Sequence, residues 1–389
     1  MRKNIIIMNI LVAFFWMTMY SYVPNLPVYS QSLGADAVAL GVIGGVYGVA
    51  QIILRIPIGV ISDRTGKNKL MLIVGCSVLA LSCVILITAR NTNMIVLGRL
   101  VAGAAAAWWV VLSASYADYH SDENQVRAQG ILSASSSGGK VVAAIAGGLI
   151  AQLFGIHAIF IFAFILAAVC IILSSRLTDL PKKPQAKSFR DLIPLLKNKD
   201  LIILSVIGIL PQLICFAAPT YFTAIAADNL GSTSFEIGML NMVFFLATGL
   251  ISLFVGSAFY RKVGGIHAMA IAFLIGAVSC IPAFYHINIQ MIFLMQIVAG
   301  VSYGITSAAT AGLVIRCVSP EQRGAATGVY QSVYGIGIFL GPVLVGNITK
   351  AVSGGAANWS DAAYWVLAAI SVATAIGCWL LIPKKYARM

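Results

Sequence analysis

A chain of 389 residues with 60% hydrophobic and only 10% charged side chains, at a mean hydropathy of +0.94, cannot hide its apolar atoms from water by folding on itself. Soluble domains run at about 45–50% apolar and about 25% charged, so the composition excludes a soluble enzyme or binding domain and makes lipid the solvent. The formal net charge of +13 would suit a nucleic-acid binder, but the charges are distributed as a membrane orientation signal instead.

Crossing a bilayer as a helix takes about 20 mostly apolar residues. That ruler predicts twelve spans, near 5–27, 37–62, 70–89, 94–117, 128–152, 157–176, 200–226, 236–259, 266–286, 289–315, 325–349 and 361–382. The first is long, with no small-residue cleavage site after it, and is expected to be a retained span rather than a signal peptide. A closed β-barrel, the other spanning solution, needs a period-two alternation that the chain lacks. The links are short, except for a polar segment over 177–199.

With the amino terminus inside, twenty of the twenty-five Lys and Arg fall on cytoplasmic ends and loops. Only Arg90 and Lys350 fall outside, and Arg55, Arg99 and Lys140 lie within spans. This is the positive-inside bias, and it predicts a multi-pass protein of the cytoplasmic membrane with both termini cytoplasmic. The cytoplasmic cations would also meet anionic lipid headgroups.

The chain repeats itself. "RLVAG" from Arg99 recurs as "QIVAG" from Gln296, and "SLGADAVALG" from Ser32 as "NLGSTSFEIG" from Asn229, both 197 residues apart. Gly59 and Gly256 share that offset, Gly130 and Gly139 match Gly328 and Gly337 at 198, and Pro24 matches Pro219 at 195. The expected fold is therefore an all-α membrane protein of twelve transmembrane helices in two six-helix pseudo-repeat halves. Residues 1–176 and 200–389 form the halves and 177–199 the cytoplasmic linker. Parallel repeats of this kind suit a secondary transporter whose site lies between the halves near the midplane. "SSSGGKV" lacks the residues of a Walker A loop, which disfavours an ATP-driven pump.

"GVISDRTGKNK", Gly59 to Lys69, resembles the loop 2–3 signature of the major facilitator superfamily: Gly, three residues, Asp-Arg, one residue, Gly, then basic positions. The resemblance covers the whole chain and implies alternating access, with the loop as a latch that closes the cytoplasmic side in one state. Gly59 permits close helix approach, Asp63 can meet a helix amino terminus or an arginine, and Arg64 and Gly66 complete the motif. Arg127 is the expected partner of Asp63, and Tyr260 stands in the second half where Asp63 stands in the first. Arg55 shares a helical face with Gly59 and Asp63 and is assigned to latch support, with snorkelling or a cavity role as alternatives.

"LGRLVAGAAAAWW", from Leu97, looks like the fourth-span signature of proton-coupled members, and the likeness implies that Arg99 binds substrate or couples protons. Gly130, Gly139 and Gly147 follow the fifth-span spacing of the drug:proton antiporter branch, with Ala143-Ala144 where that signature has Gly-Pro. Span eleven keeps the pair, as Gly337 followed by Gly341-Pro342. These glycines are expected to form helix-packing seams.

No acid falls at mid-span, so the deep charges, Arg99 and Lys140, are cationic and in the first half. A cavity of that sign attracts anions, and an ionisable residue within a span marks a functional site by default. Lys140 is also a candidate proton carrier, because a lysine changes protonation state readily when withdrawn from water. Further cavity candidates are Asn9, Trp16, Tyr20, Gln51, Ser136, Gln212, Asn241, Gln296, Tyr303, Gln331 and Tyr334.

The seven cysteines and four histidines show no metal spacing, so no metal, cofactor or catalytic residue is expected. The expected partners are a small-molecule substrate, protons and membrane lipids, without nucleic acid, in a monomer. The leading reading is a non-enzymatic, proton-coupled exporter of a small anionic, zwitterionic or amphiphilic solute. Organic-anion uptake, or a transporter-like receptor or lipid-handling protein, stand as alternatives.

Overall fold

The structure is a computed structural model that describes residues 2–120, 125–179, 193–254, 264–318, 322–355 and 358–382. Most of the linker, Tyr260, Gly256 and the side chain of Arg127 lie outside the described residues. The chain is helical, and eleven of its described helices are long and apolar enough to cross a membrane.

Span one runs Arg2–Tyr22, breaks at Pro24 and resumes as Leu26–Ser32, five residues beyond its expected end. Span two (Ala37–Thr65) begins on Asp36, whose carboxylate accepts from the Ala39 amide at 2.8 Å, and stops at Gly66 in the left-handed region. Span three is Asn68–Ile87, span four Thr92–Ala107 continued as Trp109–Asp118, span five Gln125–Phe154 and span six Ile156–Ser175. After a short turn of helix at Ile193–Leu196, span seven runs Lys199–Ala217 and continues through a π turn at Ala218–Phe222 into Thr223–Asn229. The π turn contains Pro219, the repeat mate of Pro24, so both halves bend their first helix at the same place. Spans eight, ten, eleven and twelve are Ser234–Phe254, Ile289–Arg316, Arg323–Ser353 and Asp361–Leu381.

Span nine differs from expectation. A single helix over 266–286 was predicted, and the helix covers Gly265–Ser279, followed by a 3-10 turn at Pro282–Tyr285. Pro282 has no N–H and excludes helical geometry from the residue before it, and Ile281 is accordingly extended, at φ −74° and ψ 113°.

The duplication reaches the capping atoms. Asn91 accepts from the Met94 amide at 3.0 Å, and Asn288, 197 residues later, accepts from Met291 at 2.9 Å. Gly34 and Gly231 both turn the chain with positive φ, 85° and 78°. Packing repeats as well: span one lies on five as seven lies on eleven, two on four as eight on ten, and three on six as nine on twelve.

The halves meet mainly through two pairs of spans, two with eleven and five with eight, with smaller contacts between the extensions of spans one and seven and between spans two and seven. At the end remote from the termini these contacts are closed. A Cβ on Gly41 would lie 2.6 Å from the Pro342 carbonyl oxygen, one on Gly346 2.3 Å from that of Ala37, and one on Gly238 2.5 Å from that of Ala144. A bridge between Lys350 Nζ and Asp36 Oδ2, 3.0 Å, ties spans eleven and two there. Towards the end carrying the termini, a Cβ on Gly130, Gly138 or Gly328 would meet nothing within 4 Å. Among the described residues, the contacts between the halves are therefore tightest at the far end.

Candidate functional site

Span five lies against span one because two glycines let it. A Cβ on Gly139 would sit 2.3 Å from the Ala13 carbonyl oxygen, and one on Gly147 1.9 Å from that of Ser21. Span eleven packs on span seven in the same way, through Gly337 on Ile209 and Gly341 on Leu213. Gly130 lies outside the seam, and Pro342 packs across the halves on Gly41 and Gly44 of span two.

The seam sets Lys140 opposite two rings one helical turn apart on span one. Its Nζ lies 4.4 Å from the centre of the Trp16 ring and 5.0 Å from that of Tyr20. A third ring, Phe245 of span eight, lies at 5.5 Å and comes from the other half. Among the described residues no acid or hydrogen-bond acceptor reaches this ammonium. Each ring offers its negative face, worth about 0.5–2 kcal/mol depending on desolvation, so the cage holds a cation without neutralising it. Sequence reasoning missed Phe245, which has nothing in its own span to distinguish it from a lipid-facing ring.

Arg99 is buried one layer nearer the far end. Its Nε donates to the Ile43 carbonyl at 3.4 Å and its guanidinium stands 4.5 Å from the Tyr47 ring centre. It faces a cavity of about 10 Å³, room for about one water, lined also by Tyr20, Tyr47, Phe216, Thr220 and Tyr221. Tyr20 therefore belongs both to the Lys140 cage and to the Arg99 cavity. Tyr47 stacks on Phe216 of the second half at 6.1 Å.

Arg55 reaches the other half and Gln51 of its own helix. It donates to the Gln331 carbonyl at 2.9 Å and to Gln51, and lies 5.1 Å from the Tyr334 ring centre. Gln51 in turn donates to the Tyr47 carbonyl at 3.2 Å. The second half contributes neutral groups. Gln212 donates to the Tyr303 hydroxyl at 3.0 Å, and Gln296 to the Pro219 carbonyl at 2.8 Å. The side-chain oxygens of Asn241, Gln296 and Gln331 are buried without a hydrogen-bond partner. Asn9 is used differently: it donates to Tyr116 at 3.1 Å and accepts from Ser135 at 3.0 Å, stitching spans one, four and five. Ser136 is buried beside it on span five.

The loop after span two is docked on its own half. Ser62 donates to Asn68 at 3.0 Å, Asn68 to Asp118 at 3.2 Å, and the Lys69 amide to Asp179 at 2.8 Å. Asp63, Arg64 and Gly66 thus stand on a turn fixed to the ends of spans four and six. Gly59 faces Val110 of its own half at 3.8 Å.

A family model described as Major Facilitator Superfamily matches residues 8–226 and 202–388. The chain belongs to the major facilitator superfamily. Among the relatives of this facilitator is an uncharacterised MFS-type transporter of Methanocaldococcus jannaschii, 24% identical over 332 residues, covering 83% of this chain and 85% of that one. The quinolone resistance protein NorA of Staphylococcus aureus is 23% identical over 354 residues, 89% of this chain and 90% of its own. The fold is shared with a variant of the nucleoside transporter NupG, at a TM-score of 0.80 and 18% identity, covering 98% of this chain and 100% of that one. A bacterial homologue of the human lysosomal transporter Spinster, in an inward-facing and unoccupied conformation, aligns at a TM-score of 0.75 and 16% identity, over 97% and 95%. The facilitator is a multi-pass membrane transporter.

Proposed function

We propose that this facilitator exports a small amphiphilic solute with an anionic or zwitterionic head, across the cytoplasmic membrane, in exchange for protons. The observation that carries the reading is the Lys140 cage, a mid-span ammonium held by rings from both halves. No described acid stands at mid-span to neutralise it, since the described carboxylates, among them Asp63, Asp118, Glu236 and Asp361, lie at helix ends. An uncompensated positive field in a low-dielectric cleft draws anions, and the surrounding rings offer apolar surface to the rest of the solute. The likeness to a quinolone resistance protein over nine-tenths of both chains supports export of a drug-like compound.

The proposed orientation places both termini in the cytoplasm. In that orientation the Asp36–Lys350 bridge would close the outer side, and solute would load from inside. Rocking of the halves would part spans two and eleven at that bridge and close the basic end, with the loop from Gly59 to Lys69 as its latch and Arg127 as the proposed partner of Asp63. Lys140 and Arg99 are the proposed coupling and substrate residues, and the protein acts as a monomer.

Two experiments test this. Ligand-induced thermal stabilisation of the purified protein should be produced by organic anions or zwitterions, and should vanish in Lys140→Glu; stabilisation by organic cations alone would sink the reading. In proteoliposomes with an imposed pH gradient, solute should leave against inward proton entry, and solute uptake driven with protons would overturn export.

A further inference from the structure

Two cations stand at the far end against the run of charge along the chain, Arg90 and Lys350. Lys350 is answered by Asp36 at 3.0 Å. Arg90 is exposed and has no acid or hydrogen-bond acceptor among the described residues. It borders a pocket of about 600 Å³ confined to the first half, lined by Tyr29, Leu33, Ile87, Thr88, Arg90 and His157.

Three elements build this pocket. Tyr29 comes from the short helix that follows span one, Arg90 from the link between spans three and four, and His157 from the first turn of span six. They are fixed relative to one another. The Tyr29 hydroxyl lies 3.4 Å from the Ala89 carbonyl and 3.4 Å from His157 Nε2, and the two rings meet edge to face at 5.6 Å. The Tyr29 and Thr88 hydroxyls are spent on the Ala89 and Val84 carbonyls, so the guanidinium of Arg90, with the His157 ring beside Tyr29, faces the pocket, and no carboxylate lines it. Ile87 ends span three, so the pocket sits where apolar helix gives way to polar link. Leu153 and Phe154, which end span five a few residues before His157, are apolar and 62% and 74% exposed.

A permanent guanidinium free of any described carboxylate, beside a histidine and over the apolar Leu33 and Ile87 at a helix boundary, matches a phosphate group with hydrocarbon attached. We propose that this pocket is a phosphate-binding site, taking either the headgroup of an anionic glycerophospholipid or free phosphate. The lining residues all belong to one half and lie apart from the Lys140 cage, so the proposal does not rest on the nature of the transported solute.

The test uses the full-length protein, purified in detergent and delipidated. Retention of dioleoylphosphatidylglycerol, dioleoylphosphatidylcholine and inorganic phosphate is read by native mass spectrometry and thermal shift. Wild-type protein should retain phosphatidylglycerol over phosphatidylcholine, and Arg90→Ala should weaken that retention roughly fivefold. Arg90→Glu should weaken it further, Arg90→Lys should restore part of it, and Lys350→Ala should leave it unchanged. His157→Ala is a second, independent variant, expected to weaken retention in the same direction. Arg90-dependent stabilisation by inorganic phosphate without selective lipid retention would keep the site and make its ligand soluble. Equal binding of phosphatidylglycerol and phosphate by wild type, Arg90→Ala and Arg90→Glu would overturn the proposal.

Discussion

Replacing Gly238 by alanine should drive the facilitator out of the far-end-closed state. Gly238 lies in the first turns of span eight, where it crosses span five at the sealed end. A Cβ there would lie 2.5 Å from the Ala144 carbonyl oxygen and 2.9 Å from the Gly148 Cα. Both obstacles are backbone, so neither can rotate away. Ordinary contact begins at about 3.4 Å, so the helices must separate by about 0.9 Å, the difference from 2.5 Å. Overpacking of this size costs about 1–3 kcal/mol, and it is charged only to the state in which the two spans touch. A differential cost of that size moves a two-state equilibrium about 5- to 150-fold. Spin labels at Ser32 and Ala351, on opposite halves at the far end, report the separation by double electron–electron resonance. The short-distance population should fall in Gly238→Ala and stay unchanged in Gly130→Ala, whose Cβ meets nothing within 4 Å. An unaltered distance distribution in Gly238→Ala would refute the claim that the glycine crossing limits closure.

Three further outcomes follow from the same geometry. Gly147→Ala, whose Cβ would sit 1.9 Å from the Ser21 carbonyl oxygen, strains a seam inside one half; it should lower the unfolding temperature in detergent without changing the distance between labelled halves. The Ala39 amide, and Lys350 beside it, hold the Asp36 carboxyl below the usual carboxylate range. Its contribution to far-end closure is therefore complete above about pH 4 and lost only as the pH falls through its lowered value. The far-end distance should thus be flat from pH 5 to 8 in wild type and longer at every pH in Asp36→Asn. Phe245→Ala removes the second-half ring from the Lys140 cage; it should weaken binding of the transported anion severalfold in a direct binding assay, with Lys140→Met weakening it more.

Much of this molecule was legible one span at a time. Long apolar runs located the helices, and the 197-residue repeat located the halves, because both are properties of the linear chain. Lys140 was found as an unusual deep charge, and Trp16 and Tyr20 separately as cavity candidates on one face of span one; that they meet needed the packing of spans one and five. What escaped depends on a second body. Phe245 reaches Lys140, and Gln331 reaches Arg55, across the gap between the halves. Arg55 was assigned along its own helix towards Asp63, since helical periodicity shows neighbours on one element and nothing across a gap. The break in span nine had its signal in Pro282, which a hydropathy ruler averages away. Pro24 and Pro219 were visible as repeat mates, yet that they bend the first helix of each half needed the backbone.

The two halves share a backbone plan and differ in charge, and the difference gives the cleft its direction. Caps persist across the repeat, as in Asn91 and Asn288, because they satisfy amides that every helix start exposes. The embedded cations do not persist. At the repeat offsets Arg99 becomes Gln296, Arg55 becomes Ser252 and Lys140 becomes Ile338. On the proposed function, a solute with an anionic head would bind with its head to the first half and its apolar body towards Phe245 and Tyr303 of the second. Phe245 is the second-half ring that the described residues bring to the Lys140 cage, and the proposed rocking would move it away from the ammonium. On the proposed reading, a bound anion compensates the charge that Phe245 no longer covers, and an empty site must release a proton from Lys140 or keep the cage closed. That requirement ties turnover to occupancy. It predicts that Phe245→Ala uncouples proton movement from solute movement in proteoliposomes, with proton leak in the absence of solute as the measured sign and tight coupling in the variant as the contrary result.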